Sequence, residues 1–292
     1  MIGADPQLTD TQFYIIAKTL QSWGATVKIT NVTGAPEADR LVLSGGADIA
    51  NDPMNSVVNA GLMTFGPAQP RVEYFMAGGK NVTSVQGLPG HVFGVSNTKG
   101  LEALMLAAEE AHYSIDPKSV TLQISGGAST RATELIAGKI DATFVHFDGW
   151  LTLQGQGFNL LATVADDIPQ LADGFMDASP TYLQGNADVA LAIDEAWIVA
   201  AQEFQNDETT WVADEQAYTK GADPTPFVQN AWTILHAANV WPAAASAFST
   251  DTITYNLQLA ANTTGALNAS APPLSAMSTT QYWDQAVKAL LP

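Results

Sequence analysis

The spacing of apolar residues along the chain predicts helices that alternate with short strands. One run after Thr9-Asp10, an N-cap signal, has helical spacing: Phe13, Ile16, Ala17 and Leu20. Further elements follow in the same way: a strand over 27–31, a helix over 36–43 and a short buried strand over 47–50. This alternation is typical of an α/β fold.

The same order of elements returns later in the chain without gaps: a strand over 120–124, a helix over 129–137 and a strand over 140–145. Val27 aligns with Val120 at the offset that also aligns Asp48 with Asp141. Gly34 and Gly45, which follow the first strand and the first helix, then align with Gly127 and Gly138 of the second copy. Units of this kind build parallel sheets, and loops at the carboxyl ends of the strands line a ligand crevice.

Glycine-rich segments suggest where the chain passes between two lobes. Residues 78–81 and 87–90 precede a predicted strand over 91–95, and residues 185–186 precede an extended apolar pattern over 188–193. We therefore predict lobe I over 1–88 plus 187–292 and lobe II over 89–186. Most of the remainder is predicted to be helical: 195–204, 208–218, 226–238 and 280–291.

Composition excludes several classes of partner. The chain has 29 acidic and 11 basic residues, a formal net charge of −18, which repels phosphate backbones and argues against nucleic acid. It has no cysteine, so disulfides, thiolate metal sites and cysteine nucleophiles are excluded. No apolar run approaches the roughly 20 residues of a membrane span. Residues 1–5 do not resemble a secretion signal, so we expect any signal or lipid-bearing cysteine upstream of Met1.

Motifs for catalysis are not evident. The four histidines are scattered and none has the paired spacing of a metal site: His91, His112, His146 and His236. The chain has no nucleophile elbow, P-loop or dinucleotide fingerprint. Adjacent carboxylates such as Asp166-Asp167 and Glu109-Glu110 do not face one another on a helix, and a solvated charged face explains them better. We therefore predict neither a metal nor a cofactor.

Four segments, in this order, resemble the nitrate, sulfonate and taurine class of substrate-binding proteins that serve ABC importers. They are the turn and strand 138–142, its counterpart 44–50, the segment 88–95 and the closing helix around 282–287. The resemblance implies a type II periplasmic-binding-protein fold. That fold has two lobes, each with a central, mostly parallel sheet flanked by helices, and two crossovers that hinge shut on the ligand.

The function that the resemblance implies is that of an extracytoplasmic solute-binding protein. Such a protein captures a small organic ligand in the interlobe cleft and delivers it, as a monomer, to an ABC permease in the membrane. It is not an enzyme and lies in the periplasm or otherwise outside the cytoplasm, with lipid anchoring left open. Two alternatives share the fold: a biosynthetic enzyme of the thiamine-pyrimidine or menaquinone type, and a ligand-binding sensor domain.

Carried over position by position, the resemblance assigns ligand contacts to two rims. The first rim comprises the start of the opening helix and the loop after the strand 47–50: Asp10, Thr11, Gln12, Phe13, Asn51, Asp52 and Asn55. The second rim comprises loops before later helices: Ser96, Asn97, Thr98, Ser125, Gly126, His146, Asp148 and Trp150. Helix capping, core packing or a structural histidine would explain several of the same residues, so these alternatives stay open.

The residues of the rims also limit the ligand. Arginine is scarce, with three in the chain, Arg40, Arg71 and Arg131, so a dianion held by bidentate arginine is not favoured. Aromatic and acidic rim residues suggest a planar or amine-bearing part: Phe13, Asp52, Asp148 and Trp150. Exposed N–H groups at helix starts are also compatible with a carboxylate or sulfonate.

Overall fold

The structure is a computed structural model that describes residues 8–32 and 34–291. The chain divides into two compact units. Unit 1 comprises the chain up to Pro70, Ala172–Tyr255 and the chain from Ala271, and unit 2 comprises Arg71–Leu171 and Asn256–Ser270.

Helices and strands alternate over the first two thirds of the chain, and helices dominate the rest. The helices are α1 (Thr11–Ser22), α2 (Ala35–Ser44), α3 (Met54–Ala60), α4 (Leu101–His112), α5 (Ala128–Ile136), α6 (Phe147–Gly155), α7 (Val164–Asp167), α8 (Pro180–Gly185), α9 (Ala187–Asn206), α10 (Glu208–Thr219), α11 (Thr225–Ala237), α12 (Thr250–Asn262) and α13 (Gln281–Leu290). The strands are β1 (Ile49–Asp52), β2 (Met63–Gln69), β3 (Phe75–Gly78), β4 (Val92–Val95), β5 (Thr121–Ile124), β6 (Ala142–Val145), β7 (Asn159–Thr163) and β8 (Gly174–Ala178).

Sheet 1, in unit 1, has the strand order β1-β8-β2. Strand β8 is antiparallel to both neighbours, and Ala178 lies opposite Ile49 on one side and Met63 on the other. Strands β1 and β2 therefore run in the same direction. Their carboxyl ends, at Asp52 and Gln69, lie at the edge of the sheet where β8 begins.

Sheet 2, in unit 2, has the order β5-β4-β6-β3-β7. Strand β4 is parallel to β5 and β6, whereas β3 is antiparallel to β6 and β7. The α/β fold class is confirmed, with two sheets flanked by helices. Its parallel part is the group β5-β4-β6, whose strands are joined by helical crossovers. Both pairings of sheet 1 are antiparallel, which differs from the mostly parallel sheet predicted for each lobe.

The predicted duplication is present in the element bounds. Helix α2 begins at Ala35 and α5 at Ala128, and strands β1 and β6 are related by the same offset over their full lengths. Gly45 and Gly138 follow the two helices with φ angles of 73° and 67°, in the left-handed region where a helix can end without steric cost to glycine.

Two predicted strands are absent from the described residues. Residues 188–193 lie inside the long helix α9, where Ala190, Ile193 and Ala196 form one buried helical face that sequence inspection took for an extended run. Residues 27–30 of the predicted strand 27–31 have no assigned strand, and they are exposed or half-exposed rather than covered by a neighbouring strand. The sequence prediction missed four strands, β2, β3, β7 and β8; all five residues of β8 are buried.

The unit boundaries also differ from the predicted lobes. They fall after Pro70 and Leu171 rather than near residues 88 and 186, because β3 already belongs to sheet 2 and β8 to sheet 1. In addition, the second half of α12 and the segment up to Ser270 belong to unit 2.

Tryptophan packing forms the centre of unit 1. Trp197 of α9 and Trp283 of α13 are fully buried and meet edge to face, with ring centroids 5.5 Å apart. The Trp197 indole N–H donates to the carbonyl of Ala68 in β2 at 3.0 Å, so one side chain ties a helix to the sheet.

Truncating Trp197 should therefore destabilise unit 1 severely. We predict that Trp197→Ala lowers the free energy of unfolding by about 3–5 kcal/mol, because it opens a large cavity and leaves the Ala68 carbonyl unpaired. Trp23→Ala is the matched control, since Trp23 is 50% exposed. Urea unfolding followed by circular dichroism measures both, and equal losses in the two variants would contradict the prediction.

Candidate functional site

Three parallel strands of sheet 2 end level with one another, and a polar residue follows each. Ser96 follows β4, Ser125 follows β5 and His146 follows β6. Ligands of open α/β sheets bind at this edge. We call this edge the unit 2 rim and define it as residues 96–100, 125–127 and 146–148.

The structure brings seven of the predicted site residues together in the unit 2 rim. Four are exposed (Asn97, Thr98, Gly126 and Asp148), two are partly exposed (Ser96 and His146), and Ser125 is buried. Asn97 Oδ1 accepts a hydrogen bond from the Lys99 backbone N–H at 2.8 Å, which fixes the first loop. The rim therefore presents side-chain and backbone polar groups on a short, ordered stretch of each loop.

Three helices begin at this rim without side-chain caps. The N-cap residues of α4, α5 and α6 are Gly100, Gly127 and His146, and none of these side chains caps its helix. The first turn of a helix has backbone N–H groups without intrahelical acceptors, and it attracts negative charge. The unit 2 rim therefore offers several backbone donors to an anionic group.

A buried ion pair lies directly beneath the rim. Arg131 of α5 is only 1% exposed, and its Nη2 lies 3.0 Å from Glu102 Oε1 in α4. Glu102 Oε2 in turn accepts a hydrogen bond from Ser96 Oγ at 2.6 Å. The pair therefore connects the loop after β4 to helix α5.

The remaining guanidinium donors hold the ends of β5 and β6. Arg131 Nη1 donates to the Gly126 carbonyl at 2.7 Å, Nε donates to Thr143 Oγ1 at 3.1 Å, and Nη2 donates to the Phe144 carbonyl at 3.2 Å. In a trans peptide the carbonyl and the following N–H point in opposite directions. Because the Gly126 carbonyl points inward to Arg131, the Gly127 N–H points outward.

His146 is held from two sides. Its Nδ1 lies 3.7 Å from Oε1 of Glu73, a carboxylate whose side chain is 1% exposed, and its ring packs on Tyr74 with centroids 4.1 Å apart. The Nε2 atom of an imidazole lies on the far side of the ring from Nδ1, so it is directed away from Glu73. The His146 side chain is 21% exposed at the rim, so part of the ring is accessible to a ligand.

Asp148 and Trp150, the other two predicted site residues of the segment 146–150, differ in exposure. Asp148 is exposed in the first turn of α6 and can accept a hydrogen bond from an amine. Trp150 is 7% exposed and stacks on Phe75, with centroids 6.5 Å apart, so it packs in the core of unit 2. Of the alternatives raised for this segment, core packing describes Trp150.

In unit 1 the predicted residues at the start of α1 are buried: Asp10, Thr11, Gln12 and Phe13. Thr11 Oγ1 donates to the Leu8 carbonyl at 2.7 Å, which is a structural role at the helix start. Asp10 occupies the N-cap position without a side-chain capping bond.

The loop after β1 carries the other predicted group of unit 1. Asn51 Nδ2 donates to Gln69 Oε1 at 3.3 Å, and the Asn51 side chain crosses Gly174, where a Cβ atom would collide with it. Asp52 and Asn55 are buried. Burial, and then the charge of Asp177 on the same face of sheet 1, raises the pKa of Asp52 to about 10, so Asp52 is a neutral acid at pH 7.

Several residues with polar roles escaped prediction from sequence. Arg131, Glu102 and Glu73 are charged residues in buried positions, which composition and periodicity do not reveal. Gln69 and Asp177 lie on β2 and β8 beside the predicted Asn51 and Asp52. Only the strand pairing of sheet 1 shows that they are neighbours.

Unit 1 also has a surface cavity of about 430 Å³, and none of the predicted site residues lines it. Its lining residues are Thr250, Ile253, Leu274, Ser275, Ser278 and Thr280.

Within residues 8–32 and 34–291, no helix is long and apolar enough to cross a membrane. The same residues contain no group of three or more histidine or carboxylate side chains placed to hold a metal ion.

The fold defined by these two units is that of the substrate-binding components of ABC importers. The chain is similar to the ligand-binding component of an ABC-type import system from Staphylococcus aureus, with a TM-score of 0.77, 12% identity, and coverage of 98% of this chain and 97% of that one. It is also similar to a sulfonate-binding protein of Methylobacillus flagellatus, with a TM-score of 0.73, 15% identity, and coverage of 96% and 89%. For the nitrate-binding protein of Synechocystis the TM-score is 0.65, with 11% identity and coverage of 99% and 88%.

A family model described as NMT1/THI5 like matches residues 20–169. The chain therefore belongs to the NMT1/THI5-like family. No curated protein matches the sequence significantly. At these identities the solved structures establish a shared fold, and they confirm the resemblance to the nitrate, sulfonate and taurine class.

A group of acidic side chains in unit 2 lies apart from the rim. The sequence interpretation of Glu109-Glu110 as a solvated face is wrong, because both residues are buried in α4. Burial together with the nearby carboxylate of Asp167 raises the pKa of Glu109 to about 8. Asp167 Oδ2 accepts a hydrogen bond from the Tyr113 hydroxyl at 2.7 Å, and this bond raises the pKa of Tyr113 to about 12. At neutral pH Glu109 is therefore mostly protonated.

This arrangement predicts that stability falls as the pH rises. Between the ordinary pKa of 4.5 and the folded value of about 8, the unfolded chain releases the Glu109 proton while the folded chain keeps it. The free energy of unfolding therefore decreases with pH across that window. We predict that the melting temperature drops by at least about 5 °C from pH 5 to pH 8, and that Glu109→Gln makes the drop smaller.

Scanning calorimetry at pH 5, 6, 7 and 8 measures this dependence. Asp166→Asn is the control, because Asp166 is the exposed neighbour of Asp167 and leaves the buried pair intact. A Glu109→Gln variant with the pH dependence of the original protein would contradict the assignment.

Proposed function

We propose that the protein is an extracytoplasmic solute-binding protein that captures a small organic ligand for an ABC permease. The observation that carries this proposal is the unit 2 rim, where three helix starts without side-chain caps meet at the carboxyl edge of a parallel sheet. The shared fold with import-system components and the family membership support it. The resemblance further implies closure of the two units on the ligand, which X-ray scattering with and without ligand would detect.

The rim favours a ligand with an acidic head group and an amine-bearing part. Backbone N–H groups at helix starts bind carboxylate or sulfonate without an arginine side chain. Asp148 is exposed nearby in the same rim and can accept from an amine. Stacking by Phe13 or Trp150 has little support, because both rings are buried in their units.

A biosynthetic enzyme of the same fold is the second candidate. Membership of the NMT1/THI5-like family and the placement of His146 beside the buried Glu73 favour it. A histidine oriented by a carboxylate can act as a general base as well as a ligand contact. Turnover of a bound compound, followed by mass spectrometry, separates the enzyme from the receptor.

A thermal-shift screen tests the proposed ligand class. We expect sulfonates and carboxylates that carry an amine to raise the melting temperature, since ligand at 100 times its Kd adds about 2.7 kcal/mol of stability. Aromatic acids, amines without an acid, pyrimidines and the simple oxyanions nitrate and sulfate complete the screen. Stabilisation by simple oxyanions alone would contradict the amine-bearing class, and stabilisation by none would contradict the receptor.

Gly127 provides a direct test of the backbone donor. A Cβ at Gly127 would meet open space, and its φ of −66° is close to the angle that proline fixes, so Gly127→Pro removes the N–H without changing this backbone angle. We expect Gly127→Pro to weaken binding of the stabilising acid by about tenfold or more, the cost of one hydrogen bond to a charged group. Gly127→Ala keeps the N–H and should bind like the original protein. Calorimetric titration measures all three, and equal affinities would refute the role of this N–H.

A further inference from the structure

We infer that Arg131 is the positioning residue of the unit 2 rim: its buried guanidinium sets the conformation of the loops 96–100 and 125–127 without touching the ligand. The inference deepens the proposed function, on which it rests in so far as these loops contact a ligand. Its structural part can be measured with no ligand present.

The guanidinium reaches the ends of all three parallel strands. It holds the Gly126 carbonyl after β5, the Phe144 carbonyl and Thr143 hydroxyl of β6, and, through Glu102, the Ser96 hydroxyl after β4. Thr143 Oγ1 also donates to the Gly94 carbonyl of β4 at 2.9 Å, which adds a second link between the same strands. A planar group with donors in fixed directions constrains all of these acceptors at once.

The first copy of the duplicated unit shows that the fold does not require this arginine. At the constant offset, Arg131 corresponds to Ala38 and Thr143 corresponds to Ala50. Ala38 and Ala50 are buried in one apolar cluster, at 2% and 0% exposure. The same helix and strand therefore pack in unit 1 with alanines at both positions.

A contribution to stability does not explain why Arg131 and Glu102 form a buried ion pair either. Arg131 and Glu102 are both shielded from water, and replacing a buried ion pair by apolar residues of similar volume is often neutral or stabilising. Apolar residues cannot donate a hydrogen bond to the Gly126 carbonyl. This bond holds the carbonyl inward and thereby turns the Gly127 N–H outward. The benefit of the guanidinium therefore lies in the orientation of the rim loops.

The decisive variant replaces both charges, Arg131→Met together with Glu102→Met. Removing Arg131 alone would leave Glu102 buried and uncompensated and could unfold the unit, whereas the double variant should fold with a melting temperature within about 5 °C of the original. Lys139→Met is the matched control, since it removes an exposed cation from the same unit. Arg131→Lys keeps the charge but cannot reach all the acceptors of the planar fork.

Amide hydrogen exchange of the unliganded proteins is the primary measurement. We expect exchange at the hydrogen-bonded rim amides, those of Lys99 and Ser125, to become about tenfold faster in the double variant, to a lesser extent in Arg131→Lys and not at all in Lys139→Met, while strands β3 and β7 keep their protection. Unchanged exchange in the rim overturns the inference. Faster exchange throughout unit 2 also overturns the inference, because it would show that Arg131 stabilises the whole unit rather than the rim loops.

Titration with taurine, which carries a sulfonate and an amine, is the second measurement. If the original protein binds taurine, the double variant should bind it about tenfold more weakly at an unchanged melting temperature, and equal affinity would overturn the inference. If the original protein does not bind taurine, that result counts against the proposed ligand class alone. The exchange measurement then still decides the role of Arg131.

Discussion

A guanidinium that is almost completely shielded from water organises the polar edge of sheet 2. Charges are rarely buried unless they are paired, and Arg131 satisfies its donors with one carboxylate, two backbone carbonyls and one hydroxyl. The acceptors lie on three different parts of unit 2: strand β6, the loop after β5, and helix α4, whose Glu102 contacts the loop after β4. The conformation of the rim, the outward direction of the Gly127 N–H and the anchoring of Ser96 all depend on this one group.

The two copies of the duplicated unit have the same order of elements but differ in the residues buried between helix and strand. In unit 1 the position beneath the repeat helix is apolar, with Ala38 and Ala50 in a cluster that also contains Val42 and Val57. In unit 2 the same positions hold Arg131 and Thr143. Alanines let the helix approach the strand with nothing further to satisfy, whereas arginine must find acceptors and finds them in the loops. The second copy thereby gains a fixed polar edge from the elements that the first copy uses for packing.

The sequence predicts the repeat well because glycine leaves a clear signal. Gly45 and Gly138 end equivalent helices, and the offset that relates them also relates β1 to β6. Alanine-rich segments are harder to assign to a helix or a strand. Residues 188–193 fit a strand pattern over six residues, although they belong to the 20-residue helix α9. Pairing with β8 was not predictable at all, because its partners are distant in sequence.

The candidate site is predictable only in part, for a related reason. Strand ends identify Ser96, Ser125 and His146, but the direction of a side chain depends on packing that a linear pattern does not contain. Phe13 and Trp150 were interpreted as ligand contacts and turned out to be buried. Nothing in the linear pattern distinguishes Arg131 from the other two arginines, although it lies beneath the rim with 1% exposure.

The place where a ligand binds is the most direct test of the unit 2 rim as the ligand site. Amide exchange of the original protein, measured with and without the compound that stabilises it most, locates the site without any mutation. We expect the ligand to slow exchange at the helix starts of the unit 2 rim, around residues 101–103, 128–130 and 147–149, where N–H groups lack intrahelical acceptors. Protection confined to unit 1 around the cavity of Thr250, Ser275 and Ser278, with the unit 2 rim unchanged, would contradict this expectation.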